Sequence, residues 1–135
     1  MISTTCTLRV RYAETDPMKY VYYGNYATYF EVARVALFRG LGMSYDEIEK
    51  RGIWLPVSEY KIKYLKPALY DQELRIEVKV KERPGVRIVF DYEIFNEENE
   101  KLTEASTTLF FLDAEKNKVV KCPDWLMELM DEHFF

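Results

Sequence analysis

Histidine is almost missing from this chain: the single one among 135 residues is His133, third from the C-terminus. That scarcity disfavours a Ser-His-Asp triad, a multi-histidine metal site and a histidine-dependent dehydratase, since each would have to run through a chain end of the kind that frays. Cysteine is scarce as well. Cys6 and Cys122 stand near opposite ends of the sequence, which gives neither metal-ligand spacing nor a disulfide framework. Cys6 lies in an alternating apolar segment and reads as a reduced, packed thiol. No uninterrupted apolar stretch approaches the ~20 residues of a membrane-spanning helix. The opening Met-Ile-Ser-Thr-Thr-Cys lacks the basic-then-apolar layout of a secretory signal, so the expected location is cytoplasmic. Excess positive charge is absent too: a net charge of −4 argues against a nucleic-acid binder held by phosphate neutralisation.

What is present describes a soluble globular protein, with 48% hydrophobic and 31% charged residues. The length suits one domain over residues 1–135 with a real core, and no repeat, low-complexity tract or Ser/Gly linker divides it. From Thr5 to Tyr12 the pattern alternates, with Cys6, Leu8, Val10 and Tyr12 on one face, as in a half-buried strand. Asp16-Pro17 marks a loop. From about Tyr23 to Arg39 the period becomes helical, with a stripe of Tyr26, Phe30, Ala33, Leu37 and Leu41 and further apolar residues around most of the circumference. Such a helix should be wrapped by something else, and Gly40 and Gly42 close it. Ser44 with Glu47 three residues on forms a capping-box pattern over a short second helix.

After Ile53 the period is two. Tyr60, Ile62 and Tyr64 form one row, Leu74 to Val80 a second, Ile88 to Ile94 a third after the Pro84-Gly85 turn, Leu102 to Leu112 a fourth, and Val119-Val120 a short last strand. Pro123 to Met130 fits a final helical turn or two. One strand, a long helix and then antiparallel strands joined by short hairpins make an α+β protein. Each strand has one apolar and one charged face, so the expected architecture is a curled antiparallel sheet of five to six strands around one long central helix.

The chemistry concentrates in Tyr12-Ala-Glu-Thr-Asp-Pro-Met-Lys-Tyr-Val-Tyr-Tyr-Gly-Asn-Tyr26. A carboxylate, Asp16, sits in a loop stiffened by proline. Several residues later a helix begins, and its free N–H groups can polarise a carbonyl and hold an oxyanion. An ionised Asp beside them supplies a nucleophile or a general base for water. Taken alone, a loop aspartate is more often a cap or turn residue.

The run Tyr12-x-x-x-Asp16-Pro17, Val21-Tyr22-Tyr23-x-Asn25-Tyr26 and Phe30-Glu31-x-Ala33-Arg34, with Tyr64-x-x-Pro67 downstream, resembles the signature of the 4-hydroxybenzoyl-CoA and short-chain acyl-CoA thioesterase family. The likeness extends from about Thr7 to Trp125. It implies the hotdog fold, which matches the wrapped helix derived above. It also implies acyl-CoA thioester hydrolysis with Asp16 as the catalytic carboxylate and the Tyr23 N–H as the carbonyl-polarising donor. Coenzyme A is then part of the substrate, and no metal or other cofactor is expected. Tyr12 would line the acyl pocket by the same analogy, or simply end its strand. Asn25 would contact substrate or cap the helix start. Glu31 reads chiefly as a partner for Arg34. Arg83 and Arg87, beside the Pro84-Gly85 turn, are candidates for the nucleotide phosphates, although charged rows are also the ordinary solvated face of a sheet. Lys19 stands where relatives usually carry glycine, so a left-handed backbone there would be strained.

The resemblance further implies a homo-oligomer, dimer or tetramer. The aromatic excess of Trp54, Tyr60, Tyr64, Phe95 and Phe111 agrees, since exposed apolar surface commonly becomes an interface. Acyl carrier protein is an alternative carrier of the thioester. A non-hydrolytic acyl-thioester binding protein on the same fold is the alternative function.

Overall fold

The alternation read from the sequence reappears strand by strand in the structure, a computed structural model that describes residues 1–134. In chain order the strands are β1 (Ile2–Arg9), β2 (Ile53–Trp54), β3 (Val57–Tyr64), β4 (Glu73–Val80), β5 (Arg87–Phe95), β6 (Lys101–Asp113) and β7 (Lys118–Val120). The helices are α1 (Asn25–Gly40), α2 (Tyr45–Lys50) and α3 (Asp124–Met130). All pairings are antiparallel, in the order β1-β4-β5-β6. The far edge of β6 carries β3 along Thr103–Leu109 and then β2 at Leu112 and Asp113. The sheet has seven strands, one beyond the expected range. The addition is two-residue β2, separated from β3 by Leu55-Pro56, where proline cannot donate to a ladder.

Ile76, Val78 and Val80 of β4 and Ile88, Phe90, Tyr92 and Ile94 of β5 point inward and are buried. Opposite them on α1 lie Tyr26, Tyr29, Phe30, Ala33, Arg34, Leu37 and Phe38, also buried. Their spacing alternates between three and one, the stripe of a 3.6-residue period. Each fully buried Ile, Leu or Phe in this layer stabilises the fold by about 1.5–3 kcal/mol. The opposite side of α1 is not wrapped: Val32 is 44% exposed and Glu31 is exposed. One sheet covers one side of the helix, so the expectation of burial nearly all round holds only for that side.

β1 begins at Ile2, three residues before the expected Thr5, paired there with Val80 of β4, and two boundaries near the candidate site move for local reasons. β1 stops at Arg9, not at Tyr12, because the Arg11 N–H donates to the Glu14 carboxylate at 2.7 Å and turns the chain into a 3-10 turn over Tyr12–Glu14. α1 starts at Asn25, two residues later than expected, because Tyr22, Tyr23 and Gly24 form a turn in which the Asn25 N–H donates to Tyr22 O. At its other end Gly42 takes φ +88, and the Met43 N–H reaches back to Phe38 O at 3.0 Å. Ser44 caps α2 by accepting the Glu47 N–H at 3.0 Å. Among the described residues, no helix is long and apolar enough to cross a membrane.

Candidate active site

Residues 15–21 follow the 3-10 turn and fold back as a tight loop whose rim is sewn to the segment before β4. Thr15 bridges Val21, and Tyr20 bridges Leu69. The Val21 N–H donates to Ala68 O at 2.9 Å, and the Tyr70 N–H donates to Lys19 O at 3.0 Å. Asp16 sits inside this frame. Its Oδ1 accepts the N–H groups of Met18 at 2.9 Å and Tyr20 at 3.2 Å. Its Oδ2 has no protein partner among the described residues. One carboxylate oxygen thus anchors the side chain while the other is unpartnered.

Lys19 carries φ +67, the left-handed backbone that the sequence suggested. Its Nζ lies 4.8 Å from the centre of the Tyr12 ring, which itself packs against Tyr70 at 5.6 Å. Tyr12 is 65% exposed and stands outside the cavity described below, because the 3-10 turn carries it off the strand face.

The loop delivers the chain to the start of α1. Glu14 O accepts the Tyr22 N–H at 2.9 Å and the Asn25 side-chain amide at 2.8 Å. Asn25 is therefore engaged locally, at the helix start. Between those two ties, the N–H groups of Tyr23 and Gly24 have no protein acceptor among the described residues. The Tyr22 ring lies over Gly24, where a Cβ would meet it at 2.8 Å.

Asp16 and Tyr23 line one cavity of about 410 Å³ together with Tyr20, Tyr22, Tyr26, Tyr64, Leu65 and Pro67. Tyr64 and Tyr26 meet edge to face at 5.3 Å. Lys66 is at the rim and pairs with Glu100. Half of the lining residues are tyrosine, with aliphatic neighbours and one carboxylate, a composition usual for small-molecule sites. Tyr20, Leu65 and Lys66 were not anticipated, because they come from loops whose approach depends on the β-bridges and not on a local pattern. Among the described residues, no three His, Cys, Asp or Glu side chains gather as a metal would require.

The structure does not bring Arg83 and Arg87 to this cavity within one chain. β4 begins at Glu73, next to the Asp16 loop, and ends at Val80, so the turn that carries both arginines lies a strand length away, about 25 Å. There Arg83 pairs with Asp131 at 2.8 Å and Arg87 stacks over Phe110 at 5.7 Å. Glu31 makes no ion pair with Arg34 among the described residues; the Arg34 guanidinium instead donates to the Tyr92 hydroxyl at 3.1 Å.

The family profile described as Thioesterase-like superfamily matches residues 10–130. YneP of Bacillus subtilis, provisionally named an acyl-CoA thioesterase, is 35% identical over 87% of this chain and 88% of its own. The acyl-CoA thioester hydrolase YbgC of Escherichia coli is 30% identical over 82% of this chain and 83% of its own. Among solved structures, the DHNA-CoA thioesterase of Staphylococcus aureus is 38% identical, with a TM-score of 0.91 over 98% of this chain and 91% of that one.

Proposed function

From the premise that this chain belongs to the Thioesterase-like superfamily and hydrolyses acyl-CoA thioesters, we propose that Asp16 and the Tyr23 N–H are the working pair of its site. The observation that carries this reading is their presence in one aromatic cavity, Asp16 with an unbonded carboxylate oxygen and Tyr23 with an unbonded N–H. The thioester oxygen accepts the Tyr23 N–H, and the positive end of α1 favours the charge that grows there. One such donor is typically worth ~2.7–4 kcal/mol in the transition state. Asp16 then takes a proton from water, the hydroxide adds to the carbonyl carbon, and collapse of the intermediate expels coenzyme A as thiolate, which the proton on Asp16 neutralises. Direct attack by Asp16, followed by hydrolysis of the resulting anhydride, uses the same two groups. Neither scheme requires a metal or a redox group.

For the acyl group we propose an aromatic or short-chain acid. Flat tyrosine walls closed by Leu65 and Pro67 suit a planar ring, and the Staphylococcus relative is named for an aromatic thioester. The test is thiol release from a panel of aroyl-, short-acyl- and long-acyl-CoA esters and the matching acyl carrier protein esters, with the parent beside Asp16→Asn. The substitution should lower kcat/KM by about 10²–10⁴. Equal rates in the two proteins would remove Asp16 from the mechanism, and a preference for long chains would remove the aromatic reading.

A further inference from the structure

Glu14, two residues ahead of Asp16, collects donors from both halves of the site. Its carboxylate accepts the Arg11 backbone N–H at 2.7 Å, the Arg11 guanidinium at 3.1 and 3.3 Å and the Tyr29 hydroxyl at 3.0 Å. Its carbonyl accepts the Tyr22 N–H and the Asn25 amide. These last two bracket Tyr23. The side chain is only 12% exposed, whereas its partner Arg11 is 79% exposed, so this is not an ordinary surface ion pair of little consequence. Burial pushes the Glu14 carboxyl up, but the hydrogen bonds from Arg11 and Tyr29 outweigh it and hold the group below the usual carboxylate range. Burial, and then the charge of Glu14, push the Tyr29 phenol well up, which keeps it a donor.

We propose that Glu14 is a positioning residue for thioester hydrolysis: its carboxylate clamps the turn that leads to Asp16 onto Tyr29 of α1, and so fixes the Asp16 carboxylate relative to the Tyr23 N–H. The inference rests on the reading of Asp16 and Tyr23 given above. Thr15 alone separates Glu14 from Asp16, and its bridge to Val21 leaves little slack between them. Tyr29 lies in the second turn of the helix whose start presents Tyr23. A carboxylate can accept from every one of these donors. A glutamine in its place turns one acceptor into a donor that faces Arg11 or Tyr29.

The test compares kcat and KM of the parent, Glu14→Gln, Tyr29→Phe, Asp16→Asn and the double variant Asp16→Asn/Glu14→Gln on one acyl-CoA ester, with melting curves for each. Misplacement of reacting groups acts on the chemical step, so Glu14→Gln should lower kcat by about tenfold or more while KM stays within about twofold. Tyr29→Phe, which removes one bond and no volume, should lower kcat less and in the same way; it carries the test if Glu14→Gln does not fold. On the Asp16→Asn background, Glu14→Gln should cost less than about twofold, because no carboxylate is left to position. Parent-like kcat in a folded Glu14→Gln or, failing that, in Tyr29→Phe overturns the proposal. So does a full multiplicative loss in the double variant. If Asp16→Asn is itself as fast as the parent, the Asp16 reading fails, whatever Glu14 does.

Discussion

At the scale of single residues, Lys19 shows how the loop tolerates an unfavourable backbone. A side chain at φ +67 costs about 1–2 kcal/mol. The cation over the Tyr12 ring returns about 0.5–1 kcal/mol at an exposed site, and the bonds at both ends of the residue hold it in place. Glycine would relieve the strain but adds about 0.4–1 kcal/mol of unfolded-chain entropy relative to alanine. Lys19→Gly should therefore be more stable than Lys19→Ala by about 0.5–1 kcal/mol in denaturant unfolding, the reverse of the order in an ordinary segment. The opposite order would mean that the loop gives way to accommodate the side chain. Lys19 was legible in advance because its neighbours fixed the motif. Glu14 was not, because the side chain that marks its role, Tyr29, is fifteen residues away and in another element. Tyr12 misled for a related reason: alternation says which face a residue takes, not where a capping carboxylate ends the strand.

Among the elements, α1 against the sheet carries the core, and one of its buried residues is charged. Arg34 is 7% exposed, meets the Tyr92 hydroxyl at 3.1 Å and leaves its Nε without a partner. Among the described residues no carboxylate lies within ion-pair distance of it. A buried cation without an anion costs several kcal/mol, and exchanging such a group for a well-packed apolar one is often neutral or stabilising. Tyr92 would keep its bond to Thr107 at 2.6 Å. Arg34→Met should thus unfold at the same denaturant concentration as the parent or a higher one, with a gain of about 1 kcal/mol. A loss of that size would show that the bond to Tyr92 and the packing of the Arg34 stem outweigh the cost of burying the charge. The period of three and one along α1 and the period of two along β4, β5 and β6 were readable from sequence, because a core on one side imposes them directly. The arginines at the Pro84-Gly85 turn were readable as exposed, but strand length set their distance from the Asp16 loop, and periodicity does not report which end of a strand meets which loop.

For the molecule as a whole, the open question is what covers β3. Among the described residues this strand pairs only with β6, so its other edge presents N–H and C=O groups that no other strand takes up. Proteins generally protect such an edge or pair it. β3 carries Ser58, Glu59, Lys61 and Lys63, but it also exposes apolar surface: Val57 and Tyr64 are each 48% exposed and Tyr60 is 39% exposed, with Trp54 of β2 at 53% on the same side of β6. Tyr64 belongs to the Asp16 cavity as well, so a partner seated on the edge at Tyr64 would lie beside the site. A second copy of this chain meets both needs, since antiparallel β3 edges are self-complementary under a two-fold axis. Light scattering at micromolar concentration should therefore give a multiple of 16.1 kDa, a dimer or tetramer. Replacing Val57 and Tyr60 together by glutamate should shift the protein toward monomer and lower thioesterase activity in the same samples, because a like-charged edge resists pairing. A stable parent monomer with full activity would sink the prediction, and the exposed tyrosines of β3 would then need another occupant.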